Sequence, residues 1–419
     1  MFMRILVVSQ YFWPESFIIN DMVRLLVEEG HEVEVLTGKP NYPDGNFFPG
    51  YASKGYQREI YDGNIVVHRV PLRPRKNGGT RNLILNYLSF VANGLFWSKK
   101  VLGKHDDPYD VIFAFALSPI TSVIPAVYLK RRFKIPLVVW VQDLWPESLS
   151  ATGFVTNKFA LRAVGAMVRW IYSNCDRILV QSKRFFDPVS KFADPAKLEY
   201  YPNSYLEPDS EPEGGPGIPP AILRAMEQNF CVLFAGNIGT AQSVETIVGA
   251  ARKLAHLQGC KIVMVGSGSM LAWVEQQKAE HGLDNLILAG RYPPSAMPQF
   301  FLRAQALLVT LKRDEIFAYT VPSKIQAYFC AGRPIIAALD GEGAQVVRDA
   351  QAGVVCSAED VEGLCRSVEH MYRLSAVDLQ EMAESGRRYF LEHFEMRSQT
   401  RELSRILAAV CDVSNVRQC

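Results

Sequence analysis

The chain has 419 residues, 48% of them hydrophobic and 21% charged, with a formal net charge of +2. At roughly 100 to 200 residues per domain this length predicts two globular domains, and so small a net charge carries no nucleic-acid signature. Eight cysteines lie mostly in apolar runs with no C-x-x-C pair, so they read as reduced, buried thiols, not as a disulfide framework or a zinc site.

A strand entered at Arg4 leaves no room for the charged and apolar regions of a signal peptide, which gives a cytoplasmic expectation. Ile5 to Val8 is a short apolar strand. Asn20 to Glu29 has helical spacing through Met22, Leu25 and Leu26, and Gly30 ends it before strand His31 to Leu36. This βαβ opening starts a parallel sheet with helices on both faces. Further strands are expected at Ile65 to Val70, Val111 to Phe115, Leu137 to Val141 and Arg177 to Val180, with helices over 81–102, 119–133 and 157–174.

Glu207 to Pro220, EPDSEPEGGPGIPP, cannot build an element interior and reads as an exposed linker. It separates an N-terminal domain over 1–206 from a C-terminal one over 221–394. Beyond it, strands are expected at Val232 to Phe234, Lys261 to Val265, Leu286 to Leu288, Ala306 to Leu311, Pro334 to Leu339 and Val354 to Cys356. A last helix over 395–419 is expected to return to the N-terminal domain. The result is two α/β, doubly wound Rossmann-like domains. Ligands bind beyond the carboxyl ends of such strands, so two domains facing each other would share a central cleft.

The stretch from Val309 to Ala338 carries the sharpest chemical signal. It reads as strand, loop, helix, strand, with Pro322-Ser323-Lys324 opening the helix and Gly332 closing it. Free N–H groups at a helix start with a lysine among them make an anion site, because lysine is otherwise disfavoured at that positive end. An ordinary cap with a solvated lysine is the plainer alternative. Two strand ends add glycine turns, Gly236-Asn237-Ile238-Gly239 and Gly266-Ser267-Gly268, where backbone must approach a ligand closely. The second begins a dinucleotide fingerprint, but Leu271 stands where a third glycine belongs, which argues against NAD.

Between Gly63 and His105 there is no acid, while Arg69, Arg73, Arg75, Lys76, Arg81, Lys99, Lys100 and Lys104 supply eight positive charges. Asn82, Asn86, Ser89 and Asn93 form one narrow stripe of the helix there, and Leu88, Phe90, Phe96 and Trp97 are among the apolar residues around the rest. The helix is too amide-rich to span a bilayer, which takes roughly 20 apolar residues. A basic-flanked helix on an anionic membrane surface fits its composition, with a core helix as the competing reading.

Five segments together resemble one family: SQYFWPESFIINDM, LTGKPNYPDG, WVQDLWPESLSATG, GNIGTAQSVE and TVPSKIQAYFCAGRPI. The chain resembles the retaining glycosyltransferases of family four, of GT-B fold, over its whole length. It is most similar to the branch of L-fucosamine (N-acetyl-L-fucosamine or fucose) transferases of O-antigen and colanic-acid-type assembly. The resemblance implies sugar transfer from a nucleotide diphosphate donor, a UDP-sugar such as UDP-N-acetyl-L-fucosamine, to a polyprenyl-diphosphate-linked saccharide. Together with the basic, acid-free stretch, this gives the expectation of a peripheral position on the cytoplasmic face of the inner membrane and of no cofactor. Two alternatives are a GT-B-fold sugar-nucleotide epimerase and a non-catalytic nucleotide-sugar-binding partner.

Departures from the family pattern limit the transfer of roles. The positions of two family glutamates are Tyr319 and Ala327 here, with Glu315 nearby as a substitute, and the family's diphosphate-binding Arg and Lys correspond to Asn237 and Gln242. On the donor side the candidates are therefore Gly236, Asn237, Gly239, Gln242, Gly266, Lys312, Glu315, Val321, Pro322 and Ser323. Lys324 and Arg291 are expected to offset the charge of the leaving diphosphate. No D-x-D or His/Asp cluster suggests a metal, and Asp106-Asp107 reads as a solvated turn. On the acceptor side stand Glu15, Asn20, Asp21, Asn41, Tyr42 and Gln142, with Asp143 as the group that receives or orients the acceptor hydroxyl. No second acid is spaced to pair with Asp143, so front-face attack is carried over from the family in place of a double displacement.

Overall fold

The computed structural model describes residues 2–76, 79–102, 109–151, 155, 157–208 and 217–416. The chain divides into two compact units, Met1–Asn203 with Met396–Cys419, and Ser204–Glu395. Asp106, Asp107, Lys104 and most of the expected linker, 209–216, lie outside the described residues. Cys419 does too; the seven described cysteines are free, with Cys330 and Cys356 only half-buried.

The first unit is built on strands β1 (Arg4–Val8), β2 (Glu32–Gly38), β3 (Gln57–Tyr61), β4 (Ile65–Val70), β5 (Val111–Ala116), β6 (Leu137–Val141), β7 (Arg177–Val180) and β8 (Leu198–Tyr200). Their order is β3-β4-β2-β1-β5-β6-β7-β8. Only β3 runs antiparallel to its neighbour among the described pairs. The central runs VIFAFA and LVVWV are buried at every residue. Parallel strands covered on both faces need that composition. β3 escapes the sequence reading because Arg58 and Glu59 interrupt its apolar pattern, and β8 because it is only three residues long.

The Met396–Val416 helix belongs to this first unit. Leu403, Ile406, Leu407 and Val410 enter its core beside Ile19 and Met22. Arg397 and Glu28, and Arg401 and Glu29, pair along the contact at 2.7 and 3.3 Å.

The second unit uses β9 (Phe230–Ala235), β10 (Cys260–Val265), β11 (Leu286–Gly290), β12 (Ala306–Thr310), β13 (Ile335–Ala338) and β14 (Gly353–Cys356), in the order β11-β10-β9-β12-β13-β14. Chain direction across the sheet reverses between β9 and β12, which opens a crevice at their carboxyl ends. The expected loop after β12 contains one further helical turn, Glu315–Tyr319, capped by the Asp314 carboxylate on the Ile316 N–H at 2.9 Å.

The acid-free stretch folds differently from its sequence reading. The helix Thr80–Val101 buries Asn86, Phe90, Gly94 and Ser98, so its amide-bearing side faces inward. Asn86 pays no unsatisfied polar cost: its Oδ1 accepts from Gln10 Nε2 at 2.8 Å and its Nδ2 donates to the Arg73 carbonyl at 2.6 Å. A Cβ at Gly94 would lie 2.7 Å from Pro125 Cγ, so glycine allows that packing. Phe90, expected at a membrane, is therefore a core residue. Arg69 is also fully buried, paired with Glu59 and donating to the Gly38 and Trp13 carbonyls. Among the described residues no helix is long and apolar enough to cross a membrane.

Candidate active site

Within the second unit, β9 and β10 both leave the sheet through glycines. Gly236 has φ +136° and Gly266 φ +145°, conformations that side-chain-bearing residues rarely adopt. The two turns are pressed together: a Cβ on Gly266 would lie 1.8 Å from the Gly236 carbonyl oxygen. Above them the helix Ser323–Cys330 begins, capped at Pro322 without a side-chain hydrogen bond. Lys324 projects from its first turn across Gly236, where a Cβ would come within 2.8 Å of the lysine Cε. Its Nζ donates to Gln242 Oε1 at 2.7 Å and lies 3.8 Å from the Phe234 ring centroid. Burial pushes the ammonium pKa down to about 7.

These elements enclose a cavity of about 670 Å³. Gly236, Asn237, Gly266, Arg291, Ser323 and Lys324 all line it, so six expected donor-side residues meet in one place. Arg291 is exposed at its edge, and Ala327, at a family glutamate position, presents only a methyl group to it. The remaining donor-side candidates are outside its lining. Gly239 is buried in the turn, and Val321 is buried in the core beneath Pro322. Lys312 faces Glu245 at 3.5 Å, and exposed Glu315 accepts from the Tyr319 hydroxyl at 2.8 Å.

Sequence reasoning missed the apolar wall of Tyr205, Tyr292, Met297, Phe301 and Tyr328. The prolines and aromatics of Tyr292 to Phe301, beside Arg291, were the available signal. Tyr328 is fixed by the Ala235 N–H at 3.3 Å and by donation to the Leu308 carbonyl at 3.4 Å. An apolar wall opposite glycine turns and a buried ammonium suits a ligand with a flat ring at one end and a diphosphate at the other. Among the described residues no group of three or more His, Cys, Asp or Glu is placed to hold a metal ion.

In the first unit, Glu15 is spent on its own loop. Its carboxylate accepts the N–H groups of Asn41 and Tyr42 at 2.8 Å each and that of Phe12 at 3.2 Å. Burial nevertheless raises its pKa to about 7. Asn20 accepts from Trp13 N at 2.9 Å and donates to the Glu15 carbonyl at 2.6 Å. Asn41 donates to the Lys39 carbonyl at 3.0 Å, and Asp21 pairs with Arg24 at 2.8 Å. Orphan backbone groups in so tight a loop demand these acceptors. What the loop leaves open is Tyr42, 39% exposed, with the Arg75 guanidinium 5.3 Å from its ring centroid. That stacking turns Arg75 toward the loop. Asp143 accepts the Ser148 hydroxyl, while the buried Nε2 of Gln142 has no hydrogen-bond partner among the described residues.

Residues 17–204 match the glycosyl transferase 4-like domain family, and residues 220–389 match the glycosyl transferases group 1 family. The chain is 25% identical to the probable glycosyltransferase WbjE of Pseudomonas aeruginosa over 73% of its length and 76% of that protein's. It is also 25% identical to the putative colanic acid biosynthesis glycosyl transferase WcaI of Escherichia coli K12, over 79% of its length and 82% of the relative's. Similar solved structures include a sucrose-phosphate synthase from Thermosynechococcus elongatus, with TM-score 0.73, 15% identity and coverage of 98% of this chain and 100% of the other. Another is Anabaena HepE in complex with UDP, with TM-score 0.66, 12% identity and coverage of 98% and 100%. The chain thus carries a stretch that matches each of two glycosyltransferase domain families, 4-like then group 1, and has the GT-B fold.

Proposed function

We propose that this protein transfers a sugar from a nucleoside diphosphate donor, a UDP-sugar of the N-acetyl-L-fucosamine type, to a polyprenyl-diphosphate-linked saccharide in bacterial surface polysaccharide assembly such as O-antigen. The observation that carries this reading is the half-buried Lys324 ammonium laid across Gly236 at the rim of the cavity. A departing nucleoside diphosphate gains negative charge, and a pre-placed cation beside free backbone N–H groups stabilises that change more than it stabilises bound donor. Arg291 lines the same cavity and supplies a second charge. UDP in the HepE complex and colanic acid in the name of WcaI support the donor class and the polysaccharide context.

Asp143, already oriented by Ser148, and Gln142 Nε2, without a partner among the described residues, are the acceptor-side groups of this reading. With no second acid assigned beside Asp143, the leaving phosphate takes the acceptor proton and configuration is retained, as the family resemblance implies. Membrane attachment uses the helix Thr80–Val101, whose outward residues Ile84, Leu88 and Phe96 are 42%, 55% and 60% exposed. Exposed Arg73, Lys76, Arg81, Lys99 and Lys100 surround that face, whereas Trp97 is half-buried against Tyr56. On this reading the protein works at the cytoplasmic face of the inner membrane.

The deciding experiment incubates the protein with UDP- and GDP-sugars and lipid-linked acceptor saccharides, following nucleotide release and glycosylated product. Acceptor-dependent release of UDP is expected, with the anomeric configuration kept. Binding without release under every acceptor would favour a non-catalytic role, and conversion of the donor sugar without acceptor would favour an epimerase.

A further inference from the structure

Beside the free face of the helix Thr80–Val101 lies a groove of about 580 Å³ lined by Ser53, Lys54, Arg73, Asn93 and Trp97 together with the prolines flanking Arg73. No acid lines it. Lys54 and Arg73 are exposed, and neither forms an ion pair among the described residues. Phe96, on the free face, makes an edge contact with Trp97 at 5.4 Å, so groove and apolar face adjoin.

The groove is held in shape from beneath. Trp97 stacks on Tyr56 at 5.3 Å and 20°. The Tyr56 hydroxyl donates to His68 Nδ1 at 2.6 Å, His68 Nε2 donates to Glu34 at 2.7 Å, and Glu34 accepts the Tyr109 hydroxyl at 2.6 Å. On the opposite side, the Arg73 N–H donates to Ser89 Oγ at 2.8 Å and ties that segment to the helix. A groove so supported, with two exposed cations that have no ion-pair partner among the described residues and with amide and hydroxyl donors, is complementary to a phosphate.

We propose that this groove is a headgroup site for the phosphate of an anionic phospholipid, contacted by Lys54 and Arg73, while Ile84, Leu88 and Phe96 enter the acyl boundary. The proposal rests on the membrane reading above and adds a site of defined chemistry to it. Its position also explains why the cations cluster on the Trp97 flank as well as at the helix ends. Diffuse attraction alone would not require a groove.

The test is co-sedimentation with vesicles of digalactosyldiacylglycerol, a phosphate-free carrier, doped with equal negative charge as either phosphatidic acid or oleate. Wild-type protein is expected to prefer the phosphatidic acid vesicles. Changing Lys54→Gln and Arg73→Gln together should weaken that binding roughly thirtyfold and abolish the preference, at about one cation's contribution per residue. Lys99→Gln with Lys100→Gln should weaken both vesicle types equally. Excess glycerol 3-phosphate should leave vesicle binding unchanged; displacement by it would assign the groove to a soluble phosphate and overturn the lipid proposal. If the Lys54/Arg73 variant falls equally on both vesicles, the headgroup site is wrong while the membrane reading stands. If wild-type protein sediments with neither, the membrane reading itself fails. Unchanged melting temperatures verify that these surface changes leave the fold intact.

Discussion

Lys324 and Gln242, 82 residues apart in sequence, meet through a 2.7 Å hydrogen bond in which the amide oxygen is the acceptor. The other close partner of the ammonium is the Phe234 ring. Both are neutral, so among the described residues no counter-charge offsets the desolvation of the ammonium, and the lysine is poised to gain stabilisation when an anion arrives.

Lys324→Ala should therefore slow turnover by about 10²- to 10³-fold and weaken donor binding less, because the charge it meets grows as the bond breaks. Steady-state kinetics with acceptor saturating separates the two effects. An unchanged turnover number would show that the diphosphate lies elsewhere.

The same lysine predicts a proton coupled to donor binding. With its pKa held down to about 7, the free protein carries Lys324 largely neutral above that pH, and a bound diphosphate raises the pKa again. UDP binding should then take up a proton at alkaline pH and weaken as pH rises above about 7. Calorimetry in two buffers of different ionisation enthalpy measures the uptake, and Lys324→Met should abolish it.

Gly266→Ala tests the pressed glycine turns. Its Cβ would lie 1.8 Å from the Gly236 carbonyl oxygen, in a φ region that alanine rarely adopts. Strain of about 1 to 3 kcal/mol is expected, enough to displace the Gly236 loop from Lys324. UDP affinity measured by titration should fall about tenfold or more, with a lower melting temperature.

The helix Thr80–Val101 predicts opposite outcomes for two phenylalanines six residues apart. Phe90→Ala should cost about 3 to 5 kcal/mol of stability, since Phe90 is fully buried. Phe96→Ala, at 60% exposure, should leave the melting temperature nearly unchanged and reduce binding to anionic vesicles. Denaturant titration and vesicle sedimentation on the same preparations distinguish them.

Glu15 gives a stability signature. Burial raises its folded pKa from 4.5 to about 7, so between those values the folded protein holds a proton that the unfolded chain has released. Stability contributed by this group is complete below pH about 4.5 and is lost as pH rises through about 7. Glu15→Gln should flatten the fall in melting temperature across that window. An unaltered slope would mean that the three N–H donors keep Glu15 ionised throughout.

The sequence by itself determined the two α/β units and most of their strands, because parallel strands covered on both faces must be near-continuous apolar runs such as VIFAFA and LVVWV. It also marked Gly236, Gly266 and Lys324, since left-handed or close-approach backbone and a lysine at a helix start are locally encoded demands. What it could not reach was the company those residues keep. Phe234 and Gln242 come to Lys324 from distant sequence, and the wall of Tyr205, Tyr292, Phe301 and Tyr328 converges from three separate segments.

The inward and outward faces of the helix Thr80–Val101 were likewise decided only by the tertiary structure. Periodicity makes an amide stripe look solvent-facing, yet Asn86 is buried because Gln10 and the Arg73 carbonyl satisfy it, and Gly94 is buried because Pro125 packs where a side chain would stand. Buried polarity costs little once every donor and acceptor is matched, and that matching depends on partners that hydrophobic spacing along one helix does not contain.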